Sequence, residues 1–156
     1  MALRAVAERL ADSPFAVWAG ESAYAYPVAN VAHVFGVVLL LGGIGIVDLR
    51  LVGLFRAIPL QPLARALTPL AIAGLVVLVL SGSVLFAADA EALAVNGTFR
   101  LKLTLIAVAL ANALLFRWKA GGLAVEPGPG LRLMALVSLL MWITIAVCGR
   151  LIAYSA

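Results

Sequence analysis

Fixed charges divide this chain into four long apolar runs. None falls between Glu21 and Asp48, none over 66–88, none over 103–116 and none over 133–149. A bilayer core of ~30 Å takes ~20 helical residues at ~1.5 Å each. The first two runs meet that length, and the last two need help from their charged flanks. In lipid, every backbone N–H and C=O must be satisfied within the fold, which leaves helices or a closed barrel. The runs lack the in/out alternation of barrel strands. The pattern therefore predicts an all-α, integral membrane four-helix bundle. It is a single transmembrane domain over 1–156, with spans at about 27–49, 63–87, 99–118 and 131–154.

Between and before the spans the pattern changes. Leu3, Val6, Ala7 and Leu10 recur at helical spacing opposite Arg4, Glu8, Arg9 and Asp12, which predicts a short interfacial helix at about 2–12. Those charges leave no apolar core for a cleavable signal peptide. Ser13-Pro14 offers an N-cap followed by Pro at the first helical position, so a second short element is expected there. Phe15, Trp18, Tyr24 and Tyr26 form the aromatic set of a membrane interface. Arg50, Arg56, Pro59 and Pro62 mark the first turn, and Pro69 should bend the second span. Asp89, Glu91, Asn96-Gly97 and Thr98 form the second loop, and 121–130, with Pro127 and Pro129, the third. Pro59-x-x-Pro62-x-x-Arg65 and Pro127-x-Pro129-x-x-Arg132 precede the second and fourth spans alike. A repeated helical hairpin would produce this, and so would any two inner loops.

Composition narrows the function classes. A hydrophobic fraction of 65% with 12% charged residues, and a mean hydropathy of +1.18, exclude a soluble domain. The net charge of +4 does not indicate nucleic acid, because the cations sit at helix ends, where they meet anionic headgroups. Six cations (Arg50, Arg56, Arg65, Arg117, Lys119, Arg132) fall on one side and five (Arg4, Arg9, Arg100, Lys102, Arg150) on the other. The positive-inside rule then puts both termini outside, in the periplasm if the membrane is the inner membrane of a bacterium. Cys148 is the only cysteine and reads as a small packing residue.

Polar residues inside the spans carry the candidate chemistry. Asn30 and His33 lie on neighbouring positions of one helix face, and Asp48 returns to within about 60° of it. Gly36, Gly42, Gly43 and Gly45 give the same helix small surfaces for close packing. The run 103–116 spans only ~21 Å, so Lys102 and Arg117 must snorkel or find partners, and Asn112 between them needs a hydrogen bond from another helix. By depth, His33, Asn30, Lys102 and Arg150 collect on the outer side as candidate ligand-binding residues. Asp48, Arg50, Arg117 and Asn112 collect on the inner side as candidate structural ion pairs. Ion pairs that hold the helices in register would also account for either cluster.

The segments Pro27-Val-Ala-Asn-Val-Ala-His33, Gly36, Gly43 and Asp48-Leu-Arg50-Leu-Val-Gly53 resemble a known family. So do Phe99-Arg100-x-Lys102, Asn112, Trp142 and Gly149-Arg150-x-Ile-Ala-Tyr154. The chain is similar there to an uncharacterised bacterial family of small four-span membrane proteins, distantly similar to the copper-resistance D membrane proteins. The resemblance runs from the first span to the C-terminus. It implies a four-helix bundle in the cytoplasmic membrane, with His33, Asp48, Arg50, Lys102, Asn112 and Arg150 as signature residues and no established reaction. Arg117 stands where that family often carries His, which weakens a haem or copper role built on two histidines.

The expectation is a non-enzymatic bundle that binds or passes a small ligand or ion at its outer side. A subunit role, in a homo-oligomer or a larger membrane complex, would suit the same pattern. The alternative is a haem- or copper-binding redox protein using His33, the only histidine, as its metal ligand, with Met134, Met141 or a second copy completing the set. Hydrolase chemistry is not expected, since the chain has no Gly-x-Ser-x-Gly elbow, no zinc-spaced His pair and no intramembrane carboxylate pair.

Overall fold

The computed structural model describes residues 2–120 and 127–155, with side chains over 5–120 and 127–154. Arg4 of the cation count, Leu3 of the amphipathic pattern and the 121–126 part of the third loop lie outside these. The described residues form seven helices and no strand. They are α1 (Ala2–Ala11), α2 (Pro14–Glu21), α3 (Ala25–Val52), α4 (Leu60–Ala88), α5 (Ala90–Val95), α6 (Gly97–Ala120) and α7 (Pro129–Ser155). Four of them (α3, α4, α6 and α7) are long and apolar enough to cross a membrane. The chain is a multi-pass membrane helix bundle. Each long helix runs a few residues past the apolar run that announced it, so the charged flanks belong to the helices. The 24-residue α6 is thereby ~36 Å long, which crosses the core where the uncharged run alone does not.

Capping sets most of the boundaries. The Ser13 side chain accepts from Ala16 N–H at 3.2 Å and opens α2, with Pro14 at the first helical position. Asn96 does the same for α6 through Phe99 N–H at 3.0 Å. Both oxygen acceptors satisfy backbone donors that the first helical turn leaves open. α3 ends at Gly53, whose φ of 118° is the left-handed conformation that closes a helix without a Cβ penalty. Helix α4 continues through Pro69, and the second loop folds into the additional short helix α5.

The centre of the bundle is the α3–α4 hairpin, where backbones touch. A Cβ placed on Gly74 would lie 2.6 Å from Leu40 N and 2.8 Å from Gly36 O. One on Gly43 would lie 2.9 Å from Ala71 N and Leu67 O. Only glycine fits either position, and such small-residue contacts let van der Waals packing hold helices together where lipid provides no hydrophobic contrast. Gly45 points instead toward Leu139 of α7, and Gly42 faces open space. α7 packs on α3, and α6 packs on α7, so the helices follow the order α4–α3–α7–α6. A shared core of Leu40, Ala71, Ala109, Trp142 and Ile145 draws on all four. The other helix ends are joined by Phe86 and Phe99, stacked at 5.4 Å.

The short helices lie at the end of the bundle that carries the termini. α1 covers α5 through Ala7, Ala90 and Ala94, and α2 covers the end of α4 through Ala16, Ala19 and Ala87. Phe15 and Trp18 stack at 5.9 Å on the exposed side of α2, and Tyr24 and Tyr26 are exposed beside them. Exposed Trp118 provides an aromatic group at the opposite end. That opposite end is tied by Arg50, only 4% exposed, whose Nε donates to Ile58 O at 2.7 Å across the turn.

Two substitutions test this framework by thermal unfolding in detergent. Gly74→Ala should cost about 1–3 kcal/mol through forced separation of α3 and α4, and Gly42→Ala almost nothing. Arg50→Met should cost about 1.5–3 kcal/mol, the range for a hydrogen bond to a charged group. Unchanged midpoints for Gly74→Ala or Arg50→Met would overturn the corresponding contact.

Candidate functional site

Toward the terminal end, four helices contribute to one polar locus. His33 lies on the ninth residue of α3, ~12 Å of helical rise from its start. Its Nδ1 is 2.9 Å from Ser81 Oγ on α4. Ser81 is buried, and its hydroxyl lies 2.6 Å from Val77 O, one turn back in its own helix. A hydroxyl has one proton to give, and the shorter contact takes it. Nδ1–H therefore donates to Ser81 Oγ, and Nε2 of the neutral ring keeps a free lone pair.

The imidazole edge rests on Gly82, where a Cβ would come within 3.3 Å of His33 Cε1. A second glycine makes room for the next polar group. Lys102 of α6 lays its ammonium over Gly149 of α7, with Nζ 3.2 Å from the position a Cβ would take there. Lys102 is half-buried, neighbours the buried Cys148, and lies within electrostatic reach of His33. Among the described residues no carboxylate pairs with it. The locus thus holds one cation without a counter-charge among the described residues, beside one imidazole with a free nitrogen that is held by a hydroxyl.

The expected outer cluster of His33, Asn30, Lys102 and Arg150 is only partly assembled. His33 and Lys102 come together. Asn30 is exposed on the flank of α3. Arg150 turns away: its Nη2 donates to Tyr154 Oη at 2.8 Å, and its Cζ stands 4.8 Å from the centre of that ring. Both residues belong to one exposed turn of α7, and the guanidinium is held there by the tyrosine of its own helix. Two concavities lie elsewhere, against α1, α2 and α5.

Ser81, Gly82 and Gly149 complete the locus. The sequence signal for the first two was Ser81-Gly82-Ser83, a small polar interruption within an apolar span. Its meaning depends on which residue of α3 lies opposite, and that register comes from the glycine contacts lower in the hairpin.

The inner cluster is arranged otherwise than expected. Asp48 is 4% exposed, and among the described residues no cation pairs with it: Oδ2 is sealed from solvent without a hydrogen-bond partner. Buried Ser138 of α7 is its polar neighbour. Arg50, two residues along the helix, points away from Asp48 and binds the turn through Ile58 O and Arg56 O. Residues two apart on a helix do not share a face. Arg117 is exposed. Asn112 is not part of an ion pair either; its Nδ2 donates to Met134 O of α7 at 3.1 Å and fastens α6 to α7.

For a metal, His33 is the candidate ligand, and among the described residues no three His, Cys, Asp or Glu side chains converge on one point. No family model, curated protein or solved structure matches this chain.

Proposed function

We propose that the chain is a multi-pass protein of a bacterial inner membrane, with both termini periplasmic, that binds a small anion at Lys102 and His33, the imidazole held in place by Ser81, from the periplasmic side. The observation that carries the reading is Lys102: a half-buried ammonium within a membrane span, with no carboxylate beside it among the described residues. Desolvating such a charge costs several kcal/mol unless a counter-charge or hydrogen bonds offset it. A bound anion supplies both. His33 supports the same ligand chemistry, because a proton taken at Nε2 turns the ring into a second charged donor next to Lys102. The orientation rests on the excess of cations on the hairpin side, six against five over the whole sequence.

Anion binding is tested by thermal unfolding of the purified protein in detergent, with acetate, chloride or phosphate added against a sulfonate buffer. A ligand at a hundred times its Kd raises stability by ~2.7 kcal/mol. At least one of the three anions should stabilise the wild type, Lys102→Gln should abolish the effect, and Arg150→Gln should retain it. No stabilisation by any of them, or equal stabilisation of Lys102→Gln, overturns the reading. A visible absorbance band of the reduced protein, or copper found by metal analysis, that disappears in His33→Gln would favour the haem or copper alternative.

Orientation has its own test. In a background where Cys148 is replaced by Ser, Ala57→Cys in the first turn should be labelled by an impermeant maleimide only after the membrane is opened. Labelling of intact cells, with an intact permeability barrier, would reverse the topology.

A further inference from the structure

Asp48 is a carboxylate with no cation paired to it among the described residues. It lies in the last turns of α3, ~6 Å of helical rise from the C-terminus, where the unpaired carbonyls carry partial negative charge. That placement disfavours an anion. Burial disfavours it further, since Asp48 is 4% exposed and Oδ2 is closed off from solvent. The usual compensation is a cation. On α3 itself, Arg50 is directed to Ile58 O and Arg56 O. The charged residue of α4, Arg65, is exposed. On α7, Arg132 is exposed and donates to Pro127 O at 3.1 Å, and Arg150 lies at the far end on Tyr154. On α6, Arg117 and Lys119 are exposed. What faces Asp48 is the hydroxyl of Ser138, with Gly45 one turn earlier on the α7 side.

A single hydroxyl does not hold a metal cation, which requires several oxygen ligands. It does suit a carboxylic acid, which has one proton to give and oxygens left to accept. We propose that Asp48 is a proton-binding site built into the α3–α7 seam, carrying its proton on Oδ2, with Ser138 as the hydrogen-bonding neighbour of the carboxyl group. The unpartnered oxygen is then the position of the proton. Because that oxygen is sealed from solvent, proton exchange requires the seam to open. The inference is independent of anion binding at His33 and Lys102, at the other end of the same helix.

The chain has three aspartates, Asp12, Asp48 and Asp89, and the other two are exposed. The variant Asp12→Asn/Asp89→Asn therefore leaves Asp48 as the sole aspartate without touching the core. Prepared with carboxyl-13C aspartate in detergent, it should give the carbonyl stretch of a neutral carboxylic acid at neutral pH, shifted by the isotope. The band should be lost only when the sample is made alkaline. Asp48→Asn, which keeps shape and neutrality, should unfold no earlier than the wild type. An ionised-carboxylate signal from the sole aspartate at neutral pH overturns the proposal, whatever cation accompanies it. The spectroscopic arm does not depend on Asp48→Asn folding.

Discussion

The close approach of α3 and α4 is the contact on which the rest of the structure depends. Gly36 and Gly43 on one helix meet Gly74 and Ala71 on the other, and the backbones touch. Burial of apolar surface does little to hold two helices together in a bilayer, since lipid is as apolar as the partner. Many short-range contacts must do so instead, and each of those weakens steeply with separation. The same approach fixes the register of the hairpin. Two turns beyond Gly74, that register sets Ser81 opposite His33 and puts Gly82 under the imidazole. A bulkier residue in the seam would therefore act on the polar locus as well as on stability.

The contrast between the two arginines at helix ends shows how the fold sorts charge. Arg50 is buried and makes charge-assisted hydrogen bonds to backbone carbonyls of the turn that follows it. Arg150 is exposed and uses a tyrosine one turn further along the same helix. Arg100 takes a third course, donating through Nε and Nη2 to Ala94 O at the end of α5. Backbone carbonyls at helix ends and turns are the sink for Arg50 and Arg100. Carboxylates are not needed for it, and among the described residues Asp48 stands without a guanidinium partner.

That sorting also marks what was legible in the sequence. The four spans, the surface helix and the Ser13-Pro14 start are local consequences of apolar runs and caps, and local pattern suffices to read them. The segment Asp48-Leu-Arg50-Leu-Val-Gly53 was legible as a unit of structure. It buries Leu51, ends α3 at Gly53 and closes the turn through Arg50. Depth alone grouped Arg150 with His33 and Arg117 with Asp48, but depth fixes only one coordinate. Rotation about each helix axis decides whether a side chain looks into the bundle, and tertiary packing sets it. Gly149 needed the same information: it is a gap in α7 that matters because Lys102 of a different helix fills it.

Lys102 and Asp48 carry opposite formal charges, and a simple account would have each neutralise the other across the bundle. Distance rules that out. Lys102 lies at the level of His33, and the fifteen residues between His33 and Asp48 on α3 correspond to ~22 Å of rise. At an effective dielectric near 20, two unit charges that far apart attract by only about 0.8 kcal/mol. Removing each from water costs several kcal/mol. The attraction is several times too small, so each group must be compensated where it stands. Lys102 has an imidazole within electrostatic reach and no carboxylate beside it among the described residues, which suits a ligand that arrives with negative charge. Asp48 has one hydroxyl and no room, which suits the smallest positive charge there is. The same physical demand, no net uncompensated charge in a low-dielectric interior, yields a different partner at each end of α3.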